Sequence, residues 1–242
     1  MKIKEEFMKT ILHRAETRGH ADHGWLNTHH TFSFAGYHNP DRMNFGALRV
    51  LNDDIVAPGM GFGKHPHDNM EIVSIPLQGD LEHQDSMGNK SVIREGDIQV
   101  MSAGTGVFHS EYNPNNDKET HFLQIWLFPR ERNLAPRYDQ ISIREVAVPN
   151  RFYQILSPNK SEQGVWINQD AWFSMAHFDS GATDKYTLKR SGNGVYVFVL
   201  EGCLKINNIE LNTRDGLGVT DIVEINVSAV TPSKVLLMEL PM

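Results

Sequence analysis

The stretch that decides the fold covers residues 59–113 and reads GMGFGKHPHDNMEIVSIPLQGDLEHQDSMGNKSVIREGDIQVMSAGTGVFHSEYN. It holds two short clusters, one around His65 and His67 and one around His109 and Glu111. In an extended chain, residues two apart point to the same face. If the two strands lie side by side, three imidazoles and one carboxylate converge. Such a set suits a divalent transition metal with positions left open for a substrate.

Each pair has a second interpretation. A His-x-His pair taken alone is more often a surface pair than a ligand pair, and a His-x-Glu pair says even less. The two pairs lie about 40 residues apart in glycine-rich, strand-like stretches, which leaves room for several short antiparallel strands between them. Together they say more than either alone, but spacing by itself leaves both a metal site and surface pairs open.

Composition excludes several classes of protein. The chain has 242 residues, of which 40% are hydrophobic, so a sizeable core is within reach. Its formal net charge of -7 and pI of about 5.9 argue against direct nucleic-acid binding, although docking onto a DNA-binding protein stays open. The single cysteine, Cys203, rules out an internal disulfide and fits a reducing compartment. The charged start resembles no signal peptide, and no apolar run approaches a membrane span. We expect a soluble, cytoplasmic protein.

Short apolar runs separated by turn signals fill most of the chain. Residues 70–77 and 98–101 are apolar and β-prone, and residues 122–128 are almost continuously apolar, as in a strand buried inside a sandwich. Turns recur every 8–12 residues, a rhythm that indicates a β-sandwich or barrel. The pattern therefore predicts an all-β fold. Residues 1–16 are expected to form either a short helix or a frayed lead-in.

The chain divides near its middle. Residues 131–149 are rich in charge and proline and read as a connector. This predicts an N-terminal domain over residues 1–130 and a C-terminal domain over residues 150–242. Because only the first half carries the two clusters, we expect the candidate metal site to lie in the N-terminal domain.

The two halves look like repeats of one another. Gly79 follows a strand-like run in the first half as Gly202 does in the second, and we match Gly96 with Gly216. At these offsets the four candidate ligand positions correspond to side chains without a ligand set, namely Leu188, Arg190, Ala229 and Thr231. The second half is therefore predicted to be a structural copy without metal ligands.

Six segments together resemble one known family: RGHADHGW at 18–25, FGALRV at 45–50, GKHPH at 63–67, HQDSMGN at 83–89, GTG at 104–106 and HSEYN at 109–113. They resemble the pirin family, and especially its bacterial members. The resemblance covers essentially the whole chain and is densest over residues 18–128. It implies a bicupin, meaning two β-barrel domains of the jelly-roll type.

The resemblance also implies a mononuclear metal site in the N-terminal barrel, with His65, His67, His109 and Glu111 as ligands. In many cupins the carboxylate ligand follows the His-x-His pair closely and would be Glu71 here. In the pirin pattern the carboxylate comes from the second cluster. We therefore assign Glu111 as the ligand and expect Glu71 to support the site or the fold.

The activity that the resemblance implies is that of quercetin 2,3-dioxygenase, the opening of a flavonol by dioxygen with release of carbon monoxide. Fe(II) is the first choice of metal, while Ni, Cu, Zn and Mn also suit these donors. Glu111 is the candidate base that takes the proton of the flavonol 3-hydroxyl. Phe62, Met70 and Phe108 either line a pocket for a flat aromatic or belong to ordinary barrel core.

Two other functions stay open. Related pirins are known as transcriptional co-regulators, in which the redox state of the metal would tune affinity for a protein partner. A metal that serves structure alone is the third interpretation. As partners we expect a flavonol and dioxygen, no direct contact with nucleic acid or membrane, and a monomer that a protein partner could bind.

Overall fold

The computed structural model describes residues 8–242, and their secondary structure is almost entirely β. The only helices in this described part are two single 3-10 turns at Ala15–Thr17 and Arg144–Val146. No helix within residues 8–242 is long and apolar enough to cross a membrane. The all-β prediction is therefore confirmed.

The first twelve strands, in chain order, are β1 (Lys9–His13), β2 (Gly19–Asp22), β3 (Leu26–His30), β4 (Leu48–Val56), β5 (Gly61–His67), β6 (Glu71–Gln78), β7 (Asp80–Asp85), β8 (Lys90–Arg94), β9 (Asp97–Ser102), β10 (Val107–Tyr112), β11 (Thr120–Leu127) and β12 (Arg137–Ser142). The remaining ten are β13 (Tyr153–Ser157), β14 (Val165–Trp166), β15 (Trp172–Phe178), β16 (Thr183–Thr187), β17 (Gly194–Glu201), β18 (Cys203–Ile206), β19 (Ile209–Asn212), β20 (Gly216–Thr220), β21 (Glu224–Ala229) and β22 (Ser233–Leu240).

These strands form two compact units. The first unit contains residues 18–145 and 157–170. Its larger sheet has the order β12-β9-β6-β11-β4-β3-β2, and its smaller sheet has the order β5-β10-β7-β8. Strands β6 and β9 are apolar and buried along most of their length, whereas β10 alternates buried and exposed side chains. This is the pattern of a sandwich whose smaller sheet turns one face to solvent.

The second unit repeats this architecture. In the described chain it contains residues 8–17, 146–156 and 171–242. Six strands of its larger sheet run in the order β1-β20-β17-β22-β15-β13, and its smaller sheet has the order β16-β21-β18-β19. Its core is one continuous cluster of buried aliphatic and aromatic side chains contributed by both sheets. The shared strand order supports the predicted repeat.

One edge strand of each larger sheet lies in a segment for which the sequence predicted no strand, namely β1 and β12. β1 precedes every strand of the first unit in sequence, yet it pairs with β20 of the second unit over residues 9–13. β12 follows the first repeat in sequence and pairs with β9 over residues 137–142. The helix considered for residues 1–16 is thus wrong from residue 9 to 13, and residues 1–7 lie outside the described residues. The predicted division into 1–130, 131–149 and 150–242 stays a prediction. The structure adds that β1 belongs to the second unit and β12 to the first.

Glycines mark the repeat at one position and not at the other. Gly79 and Gly202 both adopt positive φ, at 76° and 86°, between equivalent strands. A Cβ at either residue would also collide with the backbone of a neighbouring strand, so only glycine fits. The match of Gly96 with Gly216 is wrong, because Arg214 has the positive φ of 67° that corresponds to 84° at Gly96.

Candidate metal centre

The pairing of β5 with β10 brings the two predicted clusters together. His109 lies opposite His65 and Val107 lies opposite His67 in the antiparallel register. His109 is buried while its neighbour Phe108 is 49% exposed, so the histidine points into the sandwich. The ring centroids of His65, His67 and His109 lie 4.5 to 4.8 Å from one another. The predicted convergence of three imidazoles is therefore what the structure contains.

Local backbone features of β5 create this convergence. Between the pairs His109–His65 and Glu111–Phe62 the register shifts, which is a β-bulge in β5 beside the site. A Cβ at Gly61 would collide with the carbonyl oxygen of Glu111, so a glycine is needed for the close approach of the two strands.

The orientation of the three rings suits a metal ion. His65 donates its Nδ1–H to the carbonyl oxygen of Gly63 at 2.7 Å, which leaves the Nε2 lone pair free for an ion. Nε2 of His65 lies 3.0 Å from Nε2 of His109. Two nitrogens at about 2.1 Å from one ion and at right angles to each other are about 3.0 Å apart. Nε2 of His67 is buried without a hydrogen-bond partner in residues 8–242, and an ion would satisfy it.

Burial also keeps these imidazoles uncharged. Burial, together with the neighbouring His109 and His65, lowers the pKa of His67 to about 4. Burial likewise lowers the pKa of His109 to about 3, with His65 and His83 contributing in the same direction. A metal ligand must be the neutral imidazole, so both histidines are in the required state near neutral pH.

Glu111, the fourth predicted ligand, occupies a different place in the cluster. It is 2% exposed, and a carboxylate oxygen of it lies within 4.8 Å of ligand atoms of His83 and His109. Its carboxylate accepts hydrogen bonds from Nε2 of Gln124 at 2.7 Å and from Oγ of Ser74 at 3.1 Å. The structure thus contains two overlapping groups of potential ligands, His65 with His67 and His109, and His83 with His109 and Glu111.

The donors to Glu111 belong to a row of polar side chains that crosses the larger sheet. Gln124 lies opposite Ser74 on one side and Asn52 on the other. Asn52 in turn lies opposite His30 and its Oδ1 is 2.9 Å from the Nδ1 atom of that ring. All four side chains are buried, so packing fixes the row, and its members Gln124 and Ser74 orient the Glu111 carboxylate.

Sequence reasoning assigned no role to His83. Its side chain is completely buried, and its Nε2 lies 3.1 Å from Oδ2 of Asp85. The residue follows the same two-residue spacing as the other pairs, in the segment His83-Gln84-Asp85. That spacing is the signal that could have identified it. Its pairing across to β10, where it lies opposite Glu111, could not be read from the sequence.

The remaining candidate residues lie outside the two groups. Glu71 is buried and accepts hydrogen bonds from Oγ of Ser102 at 2.8 Å and from the backbone N–H of Asn168 at 3.2 Å. Burial raises the pKa of Glu71 to about 6. This carboxyl therefore joins β6 to β9 and to a loop of the same unit, in agreement with the expected supporting role.

The three apolar residues considered for a substrate pocket lie in different places. Phe62 packs edge-on against Trp25 at 5.3 Å, is partly buried, and packs against a core cluster of the first unit. Met70 packs with Trp126, whose ring contacts His67 edge-on at 4.8 Å. Phe108 is exposed. It lines a cleft of about 280 Å³ that also contacts His109.

The second unit has apolar residues where the first has its histidines. The hairpin partners place Tyr186 in the position of His65, Ile225 in that of His109 and Val227 in that of Glu111. All three of these second-unit residues belong to its buried hydrophobic cluster. Within residues 8–242, both groups of potential metal ligands lie in the first unit.

Comparisons with known proteins point in one direction. The family model "Pirin" matches residues 12–127, and the model of the quercetinase C-terminal cupin domain matches residues 154–240. The chain is 42% identical over 234 residues to quercetin 2,3-dioxygenase of Escherichia coli, covering 95% of this chain and 98% of that protein. It is 38% identical over 222 residues to a pirin-like protein of Caulobacter vibrioides, covering 91% and 95%.

A solved structure agrees with the fold. The crystal structure of the bacterial pirin YhhW from Escherichia coli in complex with nickel(II) superposes with a TM-score of 0.91 at 41% sequence identity. The match covers 96% of this chain and 99% of that one. Two units of the same strand order, with ligand groups in the first unit, define a bicupin. The chain belongs to the pirin family, as its six sequence segments predicted.

Proposed function

We propose that this chain is a metal-dependent dioxygenase that opens a flavonol such as quercetin with dioxygen. The observation that carries the proposal is the convergence of three buried or half-buried imidazoles, with Nε2 atoms of His65 and His109 3.0 Å apart and Nε2 of His67 without a partner in the described chain. The names of relatives that match nearly the whole chain support the same activity.

His65, His67, His109 and Glu111 would hold the ion. A bound divalent ion supplies Lewis acidity and open coordination positions for a substrate oxygen and for dioxygen. The imidazoles contribute neutral nitrogen donors because burial lowers the pKa of His67 and His109. The carbonyl oxygen of Gly63 keeps the His65 ring turned so that Nε2 faces the other two rings.

Glu111 is the candidate base for the flavonol 3-hydroxyl. Its carboxylate is an acceptor, because Gln124 and Ser74 both donate to it. Those two donors hold it at the bottom of the cluster, where solvent reaches only 2% of the residue. A proton transferred from the substrate hydroxyl to a Glu111 oxygen would be shielded from water.

A cleft on the outer face of the smaller sheet lies behind the metal centre, because Phe108, Ser110 and Tyr112 alternate along β10 with the inward-facing His109 and Glu111. It has a volume of about 280 Å³ and is lined by Phe108 and Tyr112 together with the polar side chains of Lys64 and Ser110. Aromatic side chains with a few polar groups are the usual lining of a small-molecule site. Phe108 and Tyr112 are 49% and 39% exposed on this outer face, so β10 lies between them and the ligand side chains, and the cleft gives no direct approach to the ion.

Fe(II) is the metal that we propose first, on the family resemblance. The nickel(II) complex of the related Escherichia coli pirin shows that nickel binds in that protein. Three imidazoles and a carboxylate also suit Cu(II), Zn(II) and Mn(II), so supply in the cell decides among them.

The test is metal analysis of protein purified without added metal, followed by oxygen-electrode assays with quercetin. We expect one transition metal per chain and oxygen uptake that His65→Ala abolishes. The matched control is His38→Ala, which removes an exposed histidine far along the sequence from the clusters. Protein that holds no transition metal and takes up no oxygen, even after loading with Fe(II) or Ni(II), would contradict the proposal.

The same assay separates the two alternatives. A redox-tuned co-regulator predicts no turnover with quercetin, together with metal-dependent capture of a protein partner. A metal that serves structure alone predicts that chelation lowers the melting temperature in a protein that has no oxygenase activity at any metal loading. Both outcomes count against the dioxygenase.

A further inference from the structure

His83 carries a buried nitrogen that the ligand set proposed above does not use. The side chain is completely buried on β7, and its Nδ1 has no hydrogen-bond partner within residues 8–242. A buried polar atom without a partner is unfavourable, because it has lost its hydrogen bonds to water and gained none in return. In a native structure such an atom is explained by a bound water, a bound ion or a functional role.

The hydrogen bond to Asp85 decides which ring nitrogen of His83 keeps a free lone pair. The Asp85 carboxylate accepts hydrogen bonds from Nδ2 of Asn89 at 2.8 Å and from the backbone N–H groups of Met87 and Asn89 at 2.9 and 3.1 Å. An anionic acceptor 3.1 Å from Nε2 requires that Nε2 carry the hydrogen, and the lone pair of a neutral ring is then on Nδ1.

This arrangement is the one that metal-binding histidines usually show. A ligating imidazole donates its other ring N–H to a carboxylate or a carbonyl oxygen, which fixes the tautomer and the ring orientation. His65 has a carbonyl oxygen in that role and His83 has a carboxylate. The His83 ring also stacks on Tyr138 of the edge strand β12, with the ring centroids 4.6 Å apart.

The ring faces the other ligands. His83 lies directly opposite Glu111 across the pairing of β7 with β10, and its centroid is 5.3 Å from that of His109. One ligand atom from each of His83, His109 and Glu111 lies within 4.8 Å of the other two. Two imidazoles and a carboxylate are a common ligand set for a divalent transition metal.

We propose that His83 is a fifth metal-binding residue, which forms an inner ligand set with His109 and Glu111. The inner set shares His109 and Glu111 with the four ligands proposed above, and His65 and His67 complete the outer set, so the centre offers two overlapping positions for a divalent ion. The inference rests on the metal centre proposed above and adds one ligand to it. Because His83, His109 and Glu111 are all at most 2% exposed, the inner position is the one more shielded from solvent.

The first test uses Co(II) as the probe metal and two variants of the whole protein. His83→Gln is expected to weaken Co(II) binding by about tenfold or more and to change the visible absorption of the bound ion. His121→Gln is the matched control, since His121 also bonds to an aspartate, Asp53 at 2.7 Å, but lies outside both ligand sets. It should leave the affinity and the spectrum unchanged. Wild-type affinity and an unaltered spectrum in a folded His83→Gln variant would overturn the proposal.

The second test needs no substitution. In protein labelled with ¹⁵N in histidine, addition of Zn(II) is expected to move the Nδ1 resonance of His83 to the range of metal-bound nitrogen. A His83 Nδ1 resonance that stays in place while the Nε2 resonances of His65 and His109 move would refute the fifth ligand and leave the outer centre intact. Absence of any shift, with no Co(II) binding by the wild type, would instead refute the metal centre as a whole.

Discussion

At the scale of single residues, the site depends on histidines that burial keeps neutral. The pKa of His67 is lowered to about 4 and that of His109 to about 3, in both cases by burial first. Such histidines favour binding of a cation near neutral pH. They also destabilise the metal-free protein in acid, because the unfolded chain binds protons that the folded chain excludes.

This gives a pH-dependent prediction for the metal-free protein. A His whose folded pKa lies below its unfolded value of about 6.5 contributes stability above that pH, which is lost as the pH falls towards the folded pKa. Wild type should therefore lose about 1–2 kcal/mol more unfolding free energy between pH 7 and pH 4.5 than His67→Phe does, screening by solvent included. Urea denaturation at both pH values measures this.

The comparison with the variant is necessary because other buried groups act in the opposite direction. Burial raises the pKa of Asp54 to about 7 and that of Glu71 to about 6, so the folded chain takes up their protons first and gains stability as the pH falls. Both groups are present in wild type and variant alike and largely cancel in the difference. Equal pH dependence of the two proteins would contradict the prediction.

The sequence predicted the histidines that converge in the first unit and missed the residues behind them. His-x-His and His-x-Glu spacings show which side chains share a face of one strand, and this was enough to select His65, His67 and His109. Which strands are neighbours is a property of the whole fold. The contacts of Glu111 with Gln124 and His83, which come from β11 and β7, therefore had no signal in the sequence alone.

At the scale of strands, a buried aspartate fastens an edge strand of each larger sheet, namely β1, which is distant in sequence from the rest of its unit, and β12, which follows the first repeat directly. Asp215 accepts hydrogen bonds from Nη1 of Arg14 at 2.6 Å and from the backbone N–H of Ala15 at 2.8 Å, directly after β1. Asp97 accepts one from Nε2 of Gln140 on β12 at 3.0 Å. Both aspartates also accept the backbone N–H three residues earlier, at 3.0 Å.

The two aspartates therefore form a matched pair for experiment. Asp215→Ala should cost about 2–3 kcal/mol of unfolding free energy, because it removes a buried carboxylate that accepts hydrogen bonds from three donors, two of them at the end of β1. It should raise hydrogen exchange over residues 9–13 and leave residues 137–142 protected. Asp97→Ala should do the reverse. Mass-spectrometric hydrogen exchange reads both segments at once, and equal loss of protection in both segments for either variant would contradict separate anchoring.

The two edge strands β1 and β12 could not be predicted from the sequence, for a physical reason. Four of the five residues of β1 are exposed, so this strand lacks the alternation that reveals a half-buried strand. β12 is half-buried along most of its length and is rich in polar residues, which made its surroundings resemble a connector. The interior strands were predictable because burial on both faces requires continuous apolar runs, as in β6 and β17.

At the scale of the whole molecule, one strand order occurs twice with two different interiors. The first unit has its imidazoles and carboxylate where the second has Tyr186, Ile225 and Val227 within a hydrophobic cluster. In the second unit a fully buried carboxylate, Glu239, accepts hydrogen bonds from Tyr186 and from the backbone N–H groups of Lys189 and Arg190. Glu239 thus fastens the loop that follows β16 to the second unit.

The sequence predicted that difference in outcome but not in detail. The glycine offsets pointed to Leu188, Arg190, Ala229 and Thr231. Strand pairing shows that Tyr186, Ile225 and Val227 are the second-unit residues equivalent to His65, His109 and Glu111. The offsets failed because loops between equivalent strands differ in length, so a constant shift drifts out of register along the repeat.

The most direct test of the central claim is anomalous diffraction from crystals of the whole protein soaked with Fe(II), measured on both sides of the iron absorption edge. The account predicts one iron peak per chain, in the first unit, within bonding distance of His109 and of its neighbouring ligands. No peak beside His109, or a peak among the apolar residues around Ile225, would contradict it.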